Sequence, residues 1–247
     1  MRMQFTFAFR DVIVLTILKQ ATESTAKNVS TFDTSPHVLR PQQRRSRAAL
    51  ARIVKAAERL LRTSSVADFS MAAVAEAAGM PVGNIYRRFR GKDELLQAIK
   101  EDAIARIENA VTERLSRERF QTVPSLIRGI VGAVSEAYSR DQGLHRFLFN
   151  RSIGDPVLTE IASSGRRRIF EYYRDALLPL LSQDSAERAE KLVRVSFHLI
   201  AAAMASKACA DDWTLTDLSW DALGAEISTA VITYLKASVD SKATALR

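Results

Sequence analysis

From Ser46 onward, apolar side chains recur at Leu50, Ile53, Val54, Ala57, Leu60 and Leu61, the three- and four-residue steps of one helix face. Arg47, Arg52, Lys55, Arg59 and Arg62 fall elsewhere on the circumference, so the pattern predicts an amphipathic helix with a basic outer side. The periodicity breaks over 63–68. Ser70 then stands where a side-chain oxygen can accept from the orphan amides of a new turn. Met71, Val74, Ala75 and Ala78 mark the inner face of a short helix over 71–78, which stops at Gly79, the residue type best able to turn left-handed past a helix end. Pro81 suits the first turn of the next helix, where its missing donor costs nothing. Val82, Ile85 and Phe89 are expected to point inward there, leaving Gly83, Asn84, Tyr86, Arg87 and Arg88 outside. Two short helices across a tight turn, the second exposed and basic, form a helix-turn-helix, whose second helix enters the major groove.

Asp93 and Glu94 follow Gly91 and Lys92 as acids suited to a helix N-terminus, and a long helix is predicted from there to about Leu115. Further helices are predicted at about 123–140, 143–150, 155–181, 185–210 and 216–238. With nine Gly and six Pro in 247 residues and little β-type alternation, the fold class is all-α. The expected organisation is a helix-turn-helix three-helix domain at 44–92, a C-terminal helical ligand-binding and dimerisation domain at 93–240, and a tail at 241–247. Residues 1–43 are expected to be a flexible extension. Their apolar run, Phe5 to Leu18, is interrupted by Arg10 and Asp11 and falls short of the roughly 20 residues of a membrane span. No small-residue cleavage site follows it, and a surface-lying helix is the alternative.

Charge sharpens this picture. Residues 40–92 carry twelve Lys or Arg against Glu58, Asp68 and Glu76, a local net charge of +9 in a chain whose total is +8. A basic excess confined to one short region suits a polyanion, although basic patches also serve solubility. The single Cys209 excludes an internal disulfide framework and fits a reducing cytoplasm. No nucleophile elbow, dinucleotide fingerprint, phosphate loop or HExxH occurs, and His37, His145 and His198 lie far apart. The chain is therefore not expected to be an enzyme, and no cofactor, metal or membrane partner is expected.

The segment from Phe69 to Leu96 resembles the N-terminal DNA-binding domain of the TetR family of bacterial regulators. The most specific residues are Ala77-Ala78-Gly79-Met80, Gly83-Asn84-Ile85-Tyr86-Arg87-Arg88-Phe89 and Lys92-Asp93-Glu94-Leu95. The resemblance covers about Arg45 to Ile99; beyond it only length and helical character agree. It implies phosphate contacts from Tyr86 and Lys92, base-edge contacts near Val82, Gly83 and Asn84, and Ser70 close to the DNA backbone. Pro81 departs from the Ser or Thr common before the recognition helix and can offer no polar contact. From their chemistry, Arg87 and Arg88 can bond guanine bidentately or hold phosphates only. Arg44, Arg45 and Arg47 precede the first helix and can reach a minor groove as a basic arm or add unspecific affinity.

A lone helix-turn-helix reads few base pairs, so a homodimer is expected. The last two long helices suit pairing through Leu192, Leu199 and Ala203 in one and Leu223, Ile227, Val231 and Tyr234 in the other, which the resemblance implies form a four-helix bundle across the dimer axis. Plain intramolecular packing is the alternative for the alanine run Ala201 to Ala205. Tyr138, His145, Phe147, Phe170, Tyr173, His198 and Met204, with Phe149 and Trp213, supply aromatic or polarizable surface and scattered polar groups that suit a small-molecule pocket, or equally a plain core. The resulting expectation is a cytoplasmic, ligand-responsive repressor that binds a palindromic double-stranded DNA operator as a dimer. The alternative is a constitutive nucleoid or cell-division factor without a small-molecule effector.

Overall fold

The computed structural model describes residues 44–63, 69–181, 185–209, 215 and 217–244, and the described residues hold nine α-helices and no strand. The expected extension at 1–43, Trp213 and the end of the tail at 245–247 lie outside the described residues. The helices are α1 (Arg44–Thr63), α2 (Met71–Ala78), α3 (Val82–Tyr86), α4 (Lys92–Arg117), α5 (Val123–Arg140), α6 (Gln142–Ser152), α7 (Pro156–Leu177), α8 (Ala186–Cys209) and α9 (Trp220–Thr244).

Local chemistry fixes most of the boundaries. Ser70 caps α2 by accepting from the Ala73 amide at 3.1 Å. Beyond the helix, Gly79 takes φ 61° and ψ 47°, its N–H donates to Glu76 O, and the Met80 N–H reaches Ala75 O, which closes a Schellman end. Thr122 caps α5 and Asp155 caps α7, the latter accepting from both Val157 and Leu158 amides at 3.0 Å. At α4, Glu94 reaches back past the Gly91 cap to accept from the Arg90 amide at 2.7 Å.

Two predicted boundaries move for identifiable reasons. The helix expected over 155–181 ends as an α-helix at Leu177 and finishes as one 3₁₀ turn, Leu178–Leu181, because Pro179 has no N–H for the i−4 carbonyl. The last helix starts at Trp220 rather than 216, where Ser219 Oγ accepts from the Ala222 amide, and runs to Thr244 because no Gly or Pro interrupts the sequence after Gly224.

Two hydrophobic cores share α4. The first joins Leu50, Ile53 and Leu61 of α1 and Val74 of α2 to Ile85, Phe89, Leu95 and Ile99. It also takes Leu144, Phe147 and Leu148 from α6, with the Phe147 ring 6.2 Å from that of Phe69. Ile107 and Val111, further along α4, belong to the second core with α5, α7, α8 and α9. The apolar side chains of α4 thus serve the helix-turn-helix core as far as Ala103, well past Lys92. No described helix is long and apolar enough to cross a membrane.

Candidate nucleic-acid interface and interior cavity

The helix-turn-helix forms over the residues anticipated, with α3 held by α2 and by its own two buried anchors. Ile85 and Phe89 are both fully buried, whereas Val82 is 42% exposed and Tyr86 52%. Val82 therefore does not point inward. It sits on the first turn of a five-residue helix whose inner face is filled by Ile85 alone, and it joins Gly83 on the open side. Pro81 occupies the cap position with no side-chain hydrogen bond, and its carbonyl accepts from the Asn84 amide at 2.9 Å. Regular α-helix stops at Tyr86, and Arg87 and Arg88 follow in a closing turn whose amides donate to Gly83 O and Ile85 O. Arg87 is exposed and Arg88 half-buried, and burial together with neighbouring Arg87 lowers the Arg88 pKa. Two residues with identical chemistry in the sequence are thus inequivalent in space.

The basic region also divides by role. Arg52 Nη2 donates to the carbonyls of Ala78 (2.6 Å) and Gly79 (3.2 Å), and Arg59 Nη2 to that of Ala77 at 3.0 Å. These two guanidinium groups of α1 sit at the negative C-terminal end of α2 and neutralise its unmatched carbonyls. Arg62 Nε donates to Asp141 at 2.9 Å, and Arg62 also pairs with Glu58. Arg90 pairs with Glu94, and the Lys92 ammonium lies 5.5 Å above the Phe69 ring at the start of α4. Much of the +9 charge therefore holds the domain together. Tyr86 and Arg87 present their side chains outward, Lys92 is half-buried, and Ser70 is exposed at the head of α2. Arg44 and Arg45 belong to the first turn of α1 rather than to an arm ahead of it.

Behind this domain, an ion-pair cluster joins α1 to the larger domain. Arg106 of α4 reaches Glu58 of α1 at 2.8 Å, pairs with Asp102 one turn earlier on α4, and lies 3.9 Å from Asp141 at the α5–α6 junction. Burial, partly opposed by Arg106, raises the Asp102 pKa to about 6. His145 borders the same cluster, and burial, reinforced by the charges of Arg106 and Lys100, lowers its pKa to about 4. At physiological pH it is neutral.

Between α4, α5, α6, α7 and α8 lies a cavity of about 140 Å³. Of the residues expected to line a pocket, Tyr138, His145, Tyr173 and Met204 do so. Phe147 does not, being part of the first core, and Phe170 stands behind the wall with its ring 5.2 Å from that of Phe197. His198 faces outward on α8. Further lining residues include Lys100, Ile104, Phe149, Arg166 and Phe197, of which the sequence marks only Phe149 as aromatic surface. Lys100 escapes sequence reasoning because its neighbours look like any solvated helix face; no local signal reveals that α6 covers it. It is 7% exposed, and its Nζ donates to Leu148 O (3.2 Å) and Ser152 Oγ (2.6 Å). Tyr173 is fully buried with its hydroxyl 2.7 Å from Ser196 Oγ. Among the described residues no group of three or more His, Cys, Asp or Glu side chains is placed to hold a metal ion.

The candidate pairing residues also separate. Leu192, Leu223 and Val231 are buried in the chain's own second core, and Ala203, Ile227 and Tyr234 are half-buried. Leu199 is 42% exposed. Around it, Lys191, Arg194, Val195, His198 and Ala202 form one outward stripe on α8, and Ala222, Ala225, Glu226, Thr229, Ala230 and Thr233 form another on α9.

Residues 53–99 match the model of the family described as bacterial regulatory proteins, tetR family. No curated protein matches the sequence. Among solved structures, a transcriptional regulator from Rhodococcus sp. Rha1 is similar with a TM-score of 0.58 and 19% identity, over 76% of this chain and 96% of that one. A TetR-family transcriptional regulator from Streptomyces coelicolor gives 0.56 and 20% over 77% and 95%. The fatty acid degradation regulator FadR from Bacillus halodurans gives 0.53 and 18% over 79% and 97%. At such identities the likeness is one of fold. A helix-turn-helix segment that fits the tetR-family model is thus carried on the all-helical fold of solved TetR-family transcriptional regulators.

Proposed function

We propose that the protein is a cytoplasmic, ligand-responsive repressor that binds an inverted-repeat operator as a homodimer and releases it when a small molecule fills the cavity. The DNA-binding domain is assigned to 44–92 and the sensing and pairing domain to 93–240. Val82, Gly83 and Asn84 read base edges, Arg87 reads bases or phosphates, Tyr86 and Lys92 hold phosphates, and Ser70, Arg44, Arg45 and Arg88 add backbone contacts. Val195, Leu199 and Ala202 of α8 pack against the outward stripe of α9 from a second copy, with Ala203, Ile227 and Tyr234 at the margin. Tyr138, His145, Tyr173 and Met204 line the effector site.

The observation that carries this reading is the single helix α4, which begins beside the recognition helix with Lys92 and lines the cavity with Lys100, Ala103, Ile104 and Ile107. A constitutive DNA-binding factor has no use for such a largely apolar cavity on the helix that supports its reading head. The test is capture of fragmented source-genome DNA by the purified protein at near-physiological salt, with sequencing of what is retained. Enrichment of a few sites sharing an inverted repeat is expected. Uniform retention that disappears as salt rises would overturn the operator-specific reading.

A further inference from the structure

The outward faces of α8 and α9 carry opposite charge. Lys191 and Arg194 are exposed on α8, Asp221 and Glu226 are exposed on α9, and no salt bridge joins any of the four to a described residue of its own chain. Glu190 feels the charge of Arg194 but is bonded by Arg174. Apolar and small side chains continue both faces, Val195, Leu199 and Ala202 on α8 and Ala225, Thr229 and Ala230 on α9. Leu199 lies at the middle of the exposed apolar surface of α8.

The hairpin geometry decides where these charges can meet. α8 and α9 pack against each other and are joined end to end, with Lys207 Nζ 5.4 Å from the Trp220 ring and bonded to Leu215 O and Leu218 O, so the two helices run in opposite senses. At about 1.5 Å per residue, Lys191 and Arg194 stand about 12 and 8 Å before Leu199, and Trp220, level with Lys207, stands about 12 Å beyond it. On the way back, Asp221 and Glu226 lie about 10 and 3 Å beyond Leu199. A two-fold axis across Leu199 reverses these heights. Asp221 and Glu226 of a second copy then come about 10 and 3 Å before Leu199, beside Lys191 and Arg194. Glu187, about 18 Å before Leu199, falls past the start of the second copy's α9. Lys236 of the second copy comes level with the last turns of α8, which bear no exposed charge among the described residues. We propose that Lys191 and Arg194 of one copy pair with Asp221 and Glu226 of a second, and that these pairs, made twice across the axis, set the register of the dimer. The inference rests on the proposed homodimer and names what selects its alignment.

The test reverses the charges of one face at a time in the full-length protein: Lys191→Glu with Arg194→Glu in one variant, Asp221→Lys with Glu226→Lys in another. Self-association is measured by sedimentation at near-physiological salt, and folding is checked by circular dichroism. Each variant alone sets like charges opposite one another and is expected to self-associate about tenfold more weakly than wild type, or weaker still. Mixed together, the two variants present acids to cations at every pair, so a heterodimer of near wild-type strength is expected. Combining all four reversals in one chain likewise restores the homodimer, and comparing that chain with either variant keeps the inference testable if the other fails to fold. Wild-type self-association in both variants, or weakened variants that recover neither on mixing nor in the fourfold chain, would overturn the register and leave the homodimer reading intact. A monomeric wild type would overturn both.

Discussion

His145 and Asp102 are buried next to the same arginine and carry pKa shifts of opposite sense, so their contributions to stability oppose each other over one pH window. His145 falls from 6.5 to about 4 because burial, Arg106 and Lys100 disfavour its cation, with Asp141 opposing. Between pH 4 and 6.5 the unfolded chain binds a proton there that the folded chain refuses, so this contribution to stability is lost as pH falls through the window. Asp102 rises from 3.8 to about 6 because burial, Glu58 and Asp141 disfavour its anion, with Arg106 opposing. Between pH 3.8 and 6 the folded chain binds the extra proton, so its contribution is lost as pH rises. Each of the two displacements corresponds to about 3 kcal/mol. In the wild type the two nearly cancel between pH 4 and 6. Replacing His145 by Gln removes one side. Relative to wild type, the variant is expected to gain about 3 kcal/mol as pH falls from 6.5 to 4, whatever the fixed cost of losing the ring against Tyr138. Asp102→Asn is expected to show the mirror image. Urea unfolding at fixed protein concentration, at half-unit steps from pH 4 to 7, measures both differences. A His145→Gln curve parallel to wild type would refute the inference that His145 is held neutral by burial.

Other expectations follow from single interactions. Replacing Gly79 by Ala forces a side chain into φ 61° and is expected to cost about 1–2 kcal/mol in thermal or urea unfolding. Replacing Lys92 by Gln and Tyr86 by Phe should weaken binding to all DNA sequences and reduce the log-log salt slope by about 0.9 for each phosphate no longer neutralised, as measured by fluorescence anisotropy at several salt concentrations. A Cβ at Gly165 would overlap Ile104 Cγ2, a wall residue of the cavity. Gly165→Ala should therefore cost about 1–3 kcal/mol from overpacking, less up to about 1 kcal/mol from helix propensity, while weakening effector binding in calorimetry. Arg62→Gln breaks a partly exposed pair and should cost only about 0.2–1 kcal/mol of stability, yet it should change the effector concentration needed to release DNA.

The reading head was legible because its determinants are local. Ser70 before an apolar turn, Gly79 where a left-handed residue is needed, and Ile85 and Phe89 four residues apart are each a short-range requirement, and the structure meets all of them. Val82 escaped for the same reason: a spacing of three places it with Ile85, but in a five-residue helix no neighbouring element covers the first turn. The division of the basic charge was not legible. Whether Arg52 and Arg59 face DNA or the end of α2 depends on how two helices cross, which is a long-range matter. The cavity was legible only as a supply of aromatic residues. Phe147 and Tyr138 look alike in sequence, and their fates separate because the α6 face carrying Phe147 turns to Phe69 while Tyr138 stands between Trp220 and His145. Of the residues expected to pair subunits, Leu192, Leu223 and Val231 turn to the chain's own core, because the apolar periodicity of α8 and α9 marks the face buried within the chain.

Under the proposed function, an effector alters DNA binding only by binding one conformation better than the other, so something it touches must stand differently in the two. The short helix α6 is suited to this. Lys100 of α4 grips its C-terminal end through Leu148 O and Ser152 Oγ, and its wall residues His145 and Phe149 border the cavity. At its N-terminal end Gln142 donates to Lys207 O of α8 and accepts from Trp220 of α9, tying it to the helices proposed to pair the subunits. One residue earlier, Asp141 holds Arg62 at the end of α1. A ligand that moves the cavity walls of α6 disturbs this grip, and any shift of α6 is felt at once by α1 and by the base of the helices proposed to pair the subunits. The 26-residue α4, about 39 Å long, cannot bend to absorb it without disturbing one of the two cores it shares. Displacement of α6 therefore reaches the spacing of the two reading heads through α1 and α4 together, and a ligand lodged elsewhere in the second core, away from Lys100 and α6, would have no such lever.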